Sequence, residues 1–232
     1  MSLLSSVDAY CERTDASLWS EPFNAATNAA FLIAAVALWQ AVAKTRTGGG
    51  TVALSVRSLP ALLGLIGLCS LLFHTVATVW AGLADTLSIL LFGCVFLYAF
   101  LRHAAGLHLW VALIGAGVFT VASYFTPGFL PAGFLNRSGA YFPYIAGLLA
   151  ITVFLRATER PGWRVFLFGV LVFCGSLALC IIDPQVCDTF PLGTHFLWHL
   201  LNAAVLFLLS RELLRETTSA LPVDLPAAPR VE

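Results

Sequence analysis

The sequence predicts an all-α, polytopic membrane protein, a bundle of seven transmembrane helices. Three observations carry this. Of 232 residues, 59% are hydrophobic and only 10% are charged, whereas a soluble domain carries about 25% charged residues. Twelve acids and twelve bases cannot cover a soluble globule of this length, so lipid must replace water over much of the surface. A helix crossing a bilayer needs about 20 mostly apolar residues. Seven such runs lie at 23–43, 58–77, 82–102, 108–126, 139–157, 163–182 and 193–214. Finally, the breaks between runs are rich in residues that end helices.

The first run stops at Thr47-Gly48-Gly49-Gly50, a flexible turn. A polar joint, Arg102 to His108, follows the third. Thr126-Pro127-Gly128 and Pro131 stop the fourth, Pro161-Gly162 divides the fifth from the sixth, and Asp183-Pro184 closes the sixth. Three regions follow: an acidic N-terminal segment (1–22), a seven-span bundle (23–214) and a Pro- and Ala-rich tail (215–232) expected to be disordered. The N-terminal stretch lacks the basic then apolar pattern of a cleavable signal peptide, so the first span is expected to stay in the mature chain. Net charge is zero, which gives no basic patch for nucleic acid.

All Lys and Arg residues except Arg13 and Arg137 fall on one side of a seven-span arrangement. By the positive-inside rule that side is cytoplasmic, which puts the N-terminus outside and the C-terminus inside. The outer side collects Asp8, Glu12, Asp15, Glu21, Asp183 and Asp188.

Ionisable residues inside spans are costly and mark function. With this topology His74 lies at the outer end of the second span, Asp85 at the outer start of the third, and His195 and His199 at the outer start of the seventh. His195 and His199 are four apart and share a helix face. Two imidazoles from one helix and a third from another offer three ligands to zinc, with a fourth position left for water. Histidines that only hydrogen-bond within the bundle are the plain alternative, which three at one depth disfavour. Haem is the rival ligand, but His103 and His108 sit at the opposite rim and read as interfacial. Ser70, one turn before His74, is either a helix-packing serine or an oxyanion donor. Asp85 is either a helix N-terminal charge or a proton acceptor beside zinc, which brings the pKa of bound water to about 7. Together these parts suit hydrolysis of an amide or ester. The six cysteines form no CxxC pair, which argues against a thiolate zinc site.

At these residues the chain resembles the alkaline ceramidase family, seven-span amide hydrolases related to the adiponectin and progestin receptors. The resemblance rests on three blocks: Tyr10-Cys11-Glu12-Arg13 with Trp19-Ser20-Glu21-Pro22-Phe23-Asn24 and Thr27-Asn28; Ser70-Leu71-Leu72-Phe73-His74 with Asp85; and His195-Phe196-Leu197-Trp198-His199. It implies zinc on His74, His195 and His199, with Ser70 and Asp85 assisting catalysis. The implied reaction splits the N-acyl bond of a ceramide-like membrane lipid into a fatty acid and a sphingoid base.

The same resemblance implies a calcium site in the acidic segment, with Glu12 and Glu21 at family ligand positions and Tyr10 offering its backbone carbonyl. The chain departs from the family pattern at Ala9 and Thr14, and Asp8 and Asp15 are the candidate replacements. The resemblance also implies a Cys11–Cys187 disulfide. A receptor-like protein on the same fold, with little or no hydrolysis, is the competing reading. Short loops and a short N-terminal head favour an enzyme. A transporter would show interrupted helices near the midplane, and none is clear.

Overall fold

The structure, a computed structural model, describes residues 2–129 and 134–219. Among these residues it is all-helical, with no strand and one isolated β-bridge, Ser6 to Thr78. Two helices, α1 (Pro22–Thr27) and α2 (Ala29–Thr47), together make the first span. They are followed by α3 (Leu54–Val76), α4 (Val79–Ala99), α5 (Leu109–Phe125), α6 (Phe142–Ala157), α7 (Trp163–Ile182) and α8 (His195–Ser219). Seven spans among the described residues are long and apolar enough to cross a membrane.

Local chemistry sets several ends. Pro22 opens α1, where its missing N–H costs nothing. The chain leaves α3 through Ala77 in the left-handed region (φ 46°). A π-turn over Phe100–Ala104 extends the third span beyond its expected end at 102. Helix α8 continues past 214 to Ser219, because Arg215 reaches back to Glu212 at 3.1 Å and the Thr217 hydroxyl bonds the Leu213 carbonyl. The tail from 220 onward lies outside the described residues.

Each span packs on the next, and contact between α2 and α8 closes the ring. The polarity is reversed relative to a soluble bundle. Ile33, Trp39, Ile114, Val118, Val153 and Leu171 are exposed, whereas Asn24, Asn28, Ser70, His74, Ser176 and Asn202 are buried. Such an outer surface would aggregate in water but is matched to hydrocarbon.

The N-terminal segment lies across the histidine end of the bundle. It runs antiparallel to the α3–α4 turn, with Val7 N–H donating to Ala77 O (2.8 Å), Val79 N–H to Ser5 O (3.1 Å) and Trp80 N–H to Leu3 O (3.0 Å). These last two bonds serve N–H groups that the start of α4 would otherwise leave without partners. The expected disulfide is present: Cys11 and Cys187 are bonded, tying the segment to the α7–α8 connection.

Candidate metal centre

His74 occupies the last turn of α3, His195 is the first residue of α8, and His199 lies one turn further on. One position on α3 and two on α8 thus meet at one end of the bundle, at 1%, 3% and 2% exposure. One ligand atom from each lies within 4.8 Å of the others, so the trio could hold a metal ion. The His74 ring centroid is 5.2 Å from that of His195 and 4.7 Å from that of His199.

Two of the rings are oriented through Nδ1. His74 Nδ1 lies 2.6 Å from Glu21 Oε2. A carboxylate accepts only, so Nδ1 carries a proton, and in the neutral ring Nε2 is the nitrogen with the free lone pair. His199 Nδ1 lies 3.0 Å from the Thr27 hydroxyl, which itself donates to the Phe23 carbonyl at 2.8 Å. Thr27 therefore accepts from Nδ1–H, and His199 also presents Nε2. His74 Nε2 and His195 Nδ1 are buried without any hydrogen-bond partner. Buried polar atoms are normally paired, and unpaired imidazole nitrogens are what a bound metal would satisfy. The donor set therefore fits a metal ion that takes imidazole ligands, with partners on the far ring nitrogens of the kind that orient ligating histidines.

The Asp85 carboxylate, in the second turn of α4, neighbours the Ser70 hydroxyl and the His74 ring. Its Oδ1 is shielded and unpaired. All five predicted site residues, Ser70, His74, Asp85, His195 and His199, are thus gathered at the histidine end of the bundle.

Several contacts around the histidines were not anticipated. Glu21 and Thr27 orient two of the three rings. Tyr10 stacks on His195 with ring centroids 3.7 Å apart. Asp183 is completely buried; Oδ1 accepts from the N–H of Thr194 (2.5 Å) and His195 (2.9 Å), and Oδ2 from Cys11 N–H (3.1 Å). It caps α8 from twelve residues away in sequence and so sets where His195 begins the helix. Gly193, at φ 68°, admits this carboxylate, since a Cβ there would run into Asp183 and Cys11.

Four of the five residues named for calcium make other contacts, and the fifth, Asp8, is exposed. Glu12 accepts from the N–H groups of Phe23 (2.6 Å) and Asn24 (2.8 Å) at the start of α1. Glu21 is bonded by Arg13, His74 and Asn24. Burial pushes its carboxyl upward, but these partners outweigh burial and hold it below the usual carboxylate range. Asp15 Oδ1 accepts from Ser17 N–H at 2.8 Å, and the Tyr10 carbonyl accepts from Arg13 N–H at 3.1 Å.

Below the histidines lies an apolar cavity within the bundle, lined by Phe31, Phe92, Tyr141, Trp198, Asn202 and neighbouring aliphatic side chains. The histidines do not line it, yet its wall reaches them. The Phe31 and His199 ring centroids are 6.2 Å apart in an edge-type arrangement, and Trp198 sits between the two α8 histidines in sequence.

Fold and site together define an integral membrane protein whose bundle encloses a three-histidine group that could hold a metal ion. The chain matches the Ceramidase family model over residues 4–219 and belongs to that family. That places it among hydrolases with a lipid substrate, as the three sequence blocks implied. No match is found among curated proteins.

Proposed function

We propose that the protein is a zinc-dependent intramembrane amidase that hydrolyses the N-acyl bond of ceramide-like lipids, releasing a fatty acid and a sphingoid base. The observation that carries this is the buried triad His74, His195 and His199, with one ligand atom from each ring within 4.8 Å of the others and with Asp85 and Ser70 close by. Zinc held there supplies a Lewis acid and makes water acidic enough to lose a proton near neutral pH.

The chain's own residues do the rest. Asp85 takes the proton from the attacking water as its oxygen bonds to the carbonyl carbon. The Ser70 hydroxyl donates a hydrogen bond to the carbonyl oxygen as that oxygen gains charge. Asp85 then returns the proton to the amide nitrogen as the C–N bond breaks, so base and acid are one group used twice. Glu21 and Thr27 hold the His74 and His199 rings in place. The apolar cavity takes a hydrocarbon chain, for which a nearly all-apolar lining is suited. The N-terminus and the metal centre face the outer side of the membrane, the polarity favoured by the basic loops at the opposite end.

The test is hydrolysis of a ceramide panel by the purified zinc-loaded protein, its His199→Ala and Asp85→Ala variants, and a metal-stripped sample. Release of fatty acid by wild type alone is expected. Full activity in both variants would sink the mechanism. Retained zinc with no hydrolysis of any N-acyl lipid would instead favour a receptor on the same fold.

A further inference from the structure

We infer that the guanidinium of Arg13 stands where a calcium ion would sit, so that the protein secures its N-terminal segment with a built-in cation and needs no calcium. Calcium is held by carboxylate and carbonyl oxygens. Arg13, 7% exposed, is surrounded by that donor set. Its Nε donates to Glu21 Oε1 at 2.5 Å, its Nη1 to the carbonyls of Asp15 (3.0 Å) and Ser17 (3.4 Å), and its Nη2 to the His74 carbonyl at 3.2 Å. The planar fork of N–H donors thereby joins three pieces: the turn at 15–17, the residue preceding α1, and the last turn of α3 with its histidine.

The other oxygens of the buried carboxylates are committed. Glu21 Oε2 accepts from His74 and Asn24, and both Glu12 oxygens accept from backbone N–H groups. A divalent ion entering here would meet a buried guanidinium with little solvent to screen the repulsion. The residues expected to bind calcium therefore do not fit it while Arg13 is present. The oxygens of Glu12 and Glu21 are already bonded by Arg13, by the His74 and Asn24 side chains and by the backbone.

The experiment titrates CaCl2 into the purified, zinc-replenished full chain in resin-treated buffer, following calorimetric heat and Tm. Wild type is expected to give no saturable heat and a Tm shift under about 1 °C. Arg13→Ala empties the cradle and is expected to gain saturable calcium binding. An ion at about 100 times its dissociation constant raises Tm by roughly 5–10 °C in a chain this size. Stoichiometric calcium binding by wild type overturns the inference, as does a folded Arg13→Ala that binds none. If that variant fails to fold, the wild-type titration decides alone. Neither readout uses lipid hydrolysis, so the outcome is independent of the ceramidase reading.

Discussion

Glu21 Oε2 lies 2.6 Å from His74 Nδ1, and Arg13 grips the other oxygen of the same carboxylate. An arginine, a glutamate and a histidine thus form one buried line from the N-terminal segment into the metal centre. Glu21→Gln keeps the shape but loses the charge that makes the ring more basic. Zinc affinity is expected to fall about 10- to 100-fold, measured by competition with a zinc-buffering chelator. Unchanged affinity would remove Glu21 from the metal's outer shell.

Asp85 and Ser70 are assigned to proton transfer and to the carbonyl oxygen, not to metal binding. Asp85→Asn is expected to retain one zinc per chain while hydrolysis falls about 10²- to 10⁴-fold. Ser70→Ala should lower kcat by about 10²- to 10³-fold with zinc content likewise unchanged. Elemental analysis alongside the lipid assay separates the two roles; loss of zinc from Asp85→Asn would make Asp85 a ligand instead.

Asp183 holds three backbone N–H groups in a fully buried position. Asp183→Ala leaves them without an acceptor, at about 1–3 kcal/mol for a buried donor left unpaired. At roughly 2–4 °C per kcal/mol, Tm should drop by several degrees. Asp183→Asn, which keeps one acceptor oxygen, should recover part of the loss. Equal Tm values for all three proteins would mean that α8 needs no cap from α7.

The Cys11–Cys187 bond spans 176 residues of sequence. Disulfides contribute about 2–4 kcal/mol, and this one pins the segment carrying Tyr10, Arg13 and Glu21. Reduction, or the paired change Cys11→Ser and Cys187→Ser, should lower Tm and weaken zinc retention together. A fall in Tm with zinc retention untouched would confine the bond to the fold.

The spans were readable because lipid imposes one-dimensional rules: length, apolarity and the placement of Arg and Lys. The convergence of His74, His195, His199 and Asp85 followed from depth alone, since helix polarity places all four near the same end. The partners of those residues were not readable. Glu21 to His74, Thr27 to His199 and Asp183 to His195 depend on how helix faces rotate toward one another, which no periodicity encodes. The place of Arg13 in the acidic segment was equally unreadable: in the sequence it is an ordinary basic residue, and only the fold brings it onto Glu21 and the His74 carbonyl. The pairing of Arg160 in the α6–α7 connection with Glu216 of α8, at 3.6 Å, was likewise unreadable.

The N-terminal segment lies over the histidine end, while the apolar cavity opens within a bundle whose outer face is hydrocarbon-like. On the proposed function, a lipid would then reach the centre by lateral diffusion in the bilayer rather than from bulk water. The concentration that governs turnover is then a surface mole fraction. Diluting the lipid substrate with inert lipid should slow the enzyme even when its molarity in the tube is held constant, and a KM quoted in molar units would describe the vesicle preparation more than the protein.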